Sequence, residues 1–98
     1  MSSDLSFAAE LSDVLCHVLR EAREAKGFSL GEVALRSGLN RQAITFIENG
    51  ERRPTTETFS RLTMALGMRP SEAWTKAEAR MPVRQWKRLL SPPKESKA

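Results

Sequence analysis

Arg41 and Gln42 are neighbours whose side chains recognise partners with a patterned edge. A guanidinium can pair bidentately with O6 and N7 of guanine, and a carboxamide with N6 and N7 of adenine. Thr45 follows one helical turn later, where it can reach a base or a phosphate. Phe46 presents an aromatic face that can press on a thymine methyl, pack inside the protein, or meet another chain. Other chemistry is sparse. Cys16 is the single cysteine and His17 the single histidine, too few for a tetrahedral metal site or an internal disulfide. No acid–base pair, nucleophile arrangement or phosphate-cradling loop is visible, so neither catalysis nor a cofactor is expected. Cys16 reads as a buried thiol, with a redox switch as the alternative, and His17 as a solvated surface residue.

The elements that must position Arg41 and Gln42 are two short helices joined by Gly38-Leu39-Asn40. The first, over residues 30–37, is opened by Ser29-Leu30-Gly31-Glu32, where Ser29 can cap and Glu32 can reach back. Ala34 lies one turn before Gly38, and a larger side chain there would push the helices apart. Gly38 can take the positive φ that a sharp turn needs. The second helix is capped by Asn40 and runs to about residue 49. Ile44 and Ile47 share one face of it, with Val33 and Leu39 available beneath, so Arg41, Gln42, Thr45 and Phe46 face outward. This is the pattern of a helix-turn-helix whose second helix enters the DNA major groove.

Gly27, Gly38, Gly50 and Gly67 each follow a helical segment, and Pro54, Pro70 and Pro82 stand where new helices can begin. A long first helix is expected over residues 4–26, with Leu11, Leu15, Val18, Leu19 and Ala22 on one stripe. Further helices are expected over 56–66, 70–80 and 82–90. Trp74, Leu62, Leu66 and Met68 read as core, and the polar tail 91–98 as disordered. No stretch alternates like a strand, so the fold is all-α.

The chain has 98 residues, of which 40% are apolar and 29% charged, the balance of a small globular domain. No apolar run approaches the roughly 18 residues of a membrane span, and Met1-Ser2-Ser3-Asp4 lacks the basic start of a secretory leader. A cytoplasmic binding module is expected. The net charge of +4 is unevenly spread: residues 1–28 are acidic, 29–68 nearly balanced, and most of the surplus lies in 69–98. A basic balance favours a polyanion partner.

Several blocks resemble a known family. Leu15-Cys16-His17-Val18-Leu19-Arg20-Glu21-Ala22-Arg23-Glu24-Ala25-Lys26-Gly27-Phe28-Ser29 looks like the first helix and loop of phage-repressor-like (XRE or Cro/C1-type) regulators. Ile47-Glu48-Asn49-Gly50-Glu51-Arg52-Arg53-Pro54 is similar to the loop after their recognition helix. Thr58-Phe59-Ser60-Arg61-Leu62-Thr63-Met64-Ala65-Leu66-Gly67-Met68 and Ser71-Glu72-Ala73-Trp74 resemble their fourth helix and the start of their fifth. The resemblance implies a lambda repressor-like five-helix DNA-binding domain over 14–80, preceded by a helical extension (1–13) and followed by an additional C-terminal helix and basic tail (81–98). It implies a homodimer acting on a palindromic operator, as a transcriptional repressor. Base contacts would come from Arg41, Gln42, Thr45 and Phe46. Backbone contacts would come from Ser29, Asn40, Asn49, Arg52 and Arg53, with Ser29 equally well explained as a cap alone. Arg23 and Glu48 match a buried salt bridge that ties the first helix to the recognition helix. Two positions depart from the pattern. Leu30 replaces a phosphate-binding Gln, and Glu51 sets a negative charge beside the expected DNA path, so modest non-specific affinity is expected.

The ends keep several readings open. Leu5, Phe7, Ala8 and Leu11 give the first helix apolar surface beyond the family minimum, and Val83, Trp86, Leu89 and Leu90 form an apolar stripe opposite Arg84, Lys87 and Arg88. Each end can pack on its own domain, make the dimer interface, or (for the basic side of the last helix) add phosphate contacts. Phage-type repressors, restriction–modification controllers and antitoxins all have short members of this kind, and nothing here separates them. The alternative from another class is an adaptor that binds a partner protein through Leu30, Phe46 and Trp86. An effector site is not expected, because no second domain remains to hold a ligand.

Overall fold

The structure, a computed structural model, describes residues 3–91, with side chains from residue 6 onward. Within that span the chain forms α1 (Ser3–Lys26), α2 (Leu30–Ser37), α3 (Arg41–Glu48), α4 (Thr56–Ala65), α5 (Pro70–Ala79) and α6 (Val83–Leu90). The tail 92–98 and the Leu5 side chain lie outside the described residues. No described helix is long and apolar enough to cross a membrane.

Local chemistry sets most boundaries. Asn40 Oδ1 accepts from the Ala43 amide at 2.7 Å, and Thr55 Oγ1 from the Thr58 amide at 3.1 Å, satisfying amides that have no partner in the helix. Ser29 Oγ does the same for Glu32 at 3.0 Å. Glu32 does not reach back as the capping box predicts, because its carboxylate takes Arg36 Nε at 2.7 Å, one turn on. The reciprocal contact appears instead at α5, where Glu72 Oε1 accepts from the Arg69 amide at 2.6 Å. Gly38 closes α2 with φ of 76° and gives its amide to the Ala34 carbonyl.

Helix α1 is the spine. Its stripe of Leu15, Val18 and Leu19 is buried against α3 and α5, while α2 packs on α3 and α4. Val33, Ile44, Ile47, Leu62 and Leu66 complete one continuous core, with Leu39 and Met68 partly buried against it. Ala73 and Ala77 are wholly buried, so α5 lies close against α1. That close approach overturns the expectation for Trp74: its neighbour Ala73 takes the inward position, and the indole remains 36% exposed, tilted over Phe59 at 5.9 Å between centroids.

The two ends meet. Phe7 is buried and stands edge-on to Trp86 at 4.9 Å, and Trp86 Nε1 donates to the Glu78 carbonyl at 3.1 Å. Phe7 lies about two and a half turns before Cys16, so α6 docks on the side of α1 opposite that cysteine. Trp86 and Leu89 are half-buried, whereas Val83 and Leu90 stay 67% and 75% exposed.

Gly38→Ala is expected to destabilise the domain by about 1–2 kcal/mol, the cost of a side chain in left-handed backbone. Urea denaturation measures it, and an unchanged midpoint would contradict the turn's dependence on glycine.

Candidate nucleic-acid interface

The outward side chains of α3 depend on how that helix is held. Arg23 from α1 meets Glu48 at the last position of α3 in a two-pronged contact: Nε donates to Oε2 at 2.7 Å and Nη2 to Oε1 at 3.0 Å. Nη1 donates to the Phe28 carbonyl at 2.9 Å, so the same guanidinium also fixes the loop into α2. The side chains are only 15% and 8% exposed. The hydrogen bond to Glu48 raises the Arg23 pKa, ahead of an opposing desolvation effect. With Ile44 and Ile47 buried below, this fork fixes the C-terminal end of α3 and with it the rotation of the helix.

The first turn of α3 then carries Arg41 and Gln42 into solvent. Neither side chain makes a hydrogen bond or ion pair among the described residues. Most nearby arginines differ: Arg36 is paired with Glu32, Arg61 with Glu57, and Arg53 with Asp13. Thr45 turns its hydroxyl proton back to the Arg41 carbonyl at 3.1 Å, leaving its methyl and oxygen lone pairs outward. Phe46 is half-buried, with the Arg52 guanidinium 5.0 Å from its ring centroid. The Phe46 carbonyl accepts from the amides of Glu51 and Arg52, which folds the following loop over the end of α3.

The expected backbone contacts fall into two groups. Ser29 and Asn40 cap their helices through side-chain oxygens, which leaves the Ser29 hydroxyl proton and the Asn40 amide hydrogens to donate elsewhere. Asn49 and Arg52 are exposed on the loop after α3, beside Gly50 with φ of 78°. Arg53 is committed within the chain, its Nη1 2.6 Å from Asp13 Oδ1 on α1. No spacing rule joins residues forty apart, so Asp13 carried no signal in the sequence. Leu30 is partly buried against the core, an apolar anchor where a polar contact was sought. Cys16 is buried, and His17 is exposed and 3.0 Å from Glu21. Among the described residues no group of three His, Cys, Asp or Glu is placed to hold a metal.

The adaptor surface does not form as expected. Leu30, Phe46 and Trp86 are all half-buried, each engaged by its own chain: the core, Arg52 and Phe7 respectively.

Removing one member of the Arg23–Glu48 pair strands a buried charge. Glu48→Ala is expected to cost about 3–5 kcal/mol and to lower the melting temperature by more than ten degrees or so. A calorimetric shift under a degree or two would sink the idea that this pair holds α3.

Comparison with known proteins agrees with this geometry. A family model described as helix-turn-helix, HTH_3, matches residues 19–72. The chain is similar to the restriction-modification controller protein C.AhdI from Aeromonas hydrophila, at 35% identity over 66% of this chain and 97% of that one, with a TM-score of 0.61. It is similar to the clp gene regulator ClgR from Corynebacterium glutamicum, at 25% identity over 82% and 85% of the two chains, with a TM-score of 0.69. A single-substitution mutant of the restriction-modification controller protein C.Esp1396I gives 25% identity over 74% and 94%, with a TM-score of 0.63. No curated protein matches by sequence. The matched residues hold the turn at Gly38, the outward first turn of α3 and the Arg23–Glu48 brace, and the chain belongs to the HTH_3 helix-turn-helix family, the XRE or Cro/C1-type DNA-binding transcriptional regulators.

Proposed function

We propose that the chain binds an inverted-repeat operator as a homodimer and represses transcription, with Arg41 and Gln42 reading base edges in the major groove. The observation that carries this is the pair's state: adjacent, exposed and unpartnered among the described residues, on the first turn of a helix clamped at its far end. Bidentate readout needs free donors and acceptors on a rigid support, since a side chain already satisfied within the protein must first break that contact. Thr45 offers its methyl to the same groove, and Phe46 presents the ring edge that Arg52 leaves open. Asn49, Arg52, Ser29 and Asn40 are disposed around α3 to hold phosphates and set register.

Dimerisation is assigned to the exposed edge of α6. Val83 and Leu90 stand open beside the half-buried Trp86 and Leu89, and a two-fold axis there would mirror a palindromic site. The similarity to restriction-modification controllers and a gene regulator supports a regulatory role.

Selection of binding sites from random or genomic DNA on the purified protein tests the reading. An enriched inverted repeat is expected with the wild type and not with Arg41→Ala/Gln42→Ala; equal enrichment by both would overturn the base-reading assignment. Arg52→Ala is expected to weaken binding about equally across sequences and to reduce the salt slope by about one. A loss confined to one base position would instead make Arg52 a reader.

A further inference from the structure

Between α1, the loop after α3, and the start of α4 lies a half-open cavity of about 200 Å³. Its floor is Leu15 and Cys16, its wall the Phe59–Trp74 pair, and its rim Arg53 and Thr55. Burial pushes the Cys16 thiol up from its ordinary pKa, so the floor stays uncharged at neutral pH. An apolar cavity of roughly 150 Å³ is enough to hold a benzene ring. One cation, Arg53, stands at this apolar space, facing the Asp13 carboxylate and the Cys16 thiol. The Arg53–Asp13 pair lies on the surface, with side chains 47% and 61% exposed, where an ion pair exchanges readily with a competing anion.

We propose that this cavity binds a small aromatic carboxylate, its ring against Phe59 and Trp74 and its carboxylate on the Arg53 guanidinium in place of Asp13. A planar guanidinium presents two parallel donors to a carboxylate, which fixes the orientation of the ring behind it. The proposal stands apart from DNA binding but bears on it. Arg53 belongs to the loop that follows the recognition helix, and its ion pair with Asp13 joins that loop to α1. Exchange of Asp13 for a ligand removes this tie between the loop and α1, which makes the site a place where a metabolite can act on the segment that follows the recognition helix.

The test uses the full chain without DNA, titrated with phenylacetate and followed by ¹H–¹⁵N spectra of the two indole groups. The Trp74 resonance is expected to shift saturably while that of Trp86, docked on Phe7, stays in place as an internal control of folding. Phenylacetamide, the neutral isostere, and the Arg53→Gln variant are each expected to weaken binding by about tenfold or more. Asp13→Asn is expected to tighten it several-fold, because the competing carboxylate is gone. The proposal is overturned if Trp74 shows no saturable shift, if phenylacetamide binds as well as phenylacetate, or if Asp13→Asn leaves the affinity unchanged.

Discussion

A recognition helix of eight residues is marginal on its own, because so short a helix barely offsets the cost of nucleation. Its usefulness depends on being held, and the contact that holds it is the fork of Arg23 on Glu48. The guanidinium spans both carboxylate oxygens and the Phe28 carbonyl, so a single side chain from α1 sets the end of α3 and the entry to α2. A buried ion pair gives little net stability once desolvation is counted, but breaking it is costly. What it supplies here is position. The apolar contacts of Ile44 and Ile47 are non-directional and would tolerate some rotation of α3; the two-pronged hydrogen bond does not.

The other arginines follow a complementary logic. Arg20, Arg36, Arg53, Arg61 and Arg80 are each placed against a carboxylate of the same chain, three of them one turn away on their own helix. These pairs offset much of the positive charge on the surface of the chain. Arg41 stands out against this background as an exposed cation on α3 with no partner among the described residues. The basic surplus of the last third is carried largely by α6, with Arg84, Lys87 and Arg88, and by Arg69 and Arg80 at the two ends of α5, while α5 itself is slightly acidic.

Small residues decide how the rest fits around that unit. Ala73 and Ala77 bring α5 against α1 and leave no inward room for Trp74, which turns to the surface and becomes a cavity wall. Phe7 and Trp86 join the two ends into a second, smaller cluster, with the indole N–H satisfied by a carbonyl of α5.

Helix identities and ends were legible in the chain itself, because they follow from local rules: Ser29 and Asn40 as caps, Gly38 and Gly67 in left-handed backbone, Pro70 at a first turn. The outward placement of Arg41 and Gln42 was legible too, since Ile44 and Ile47 fix which side of an eight-residue helix is buried. Tertiary structure alone decided what those rules do not reach. Asp13 meets Arg53 across forty residues, Arg52 covers Phe46, Trp74 is displaced by its neighbour, and Phe7 finds Trp86. Sequence spacing specifies which residues share a face of one helix. Which faces then meet, and which side chain wins the space between them, depends on the volumes and hydrogen-bond demands of the whole core at once.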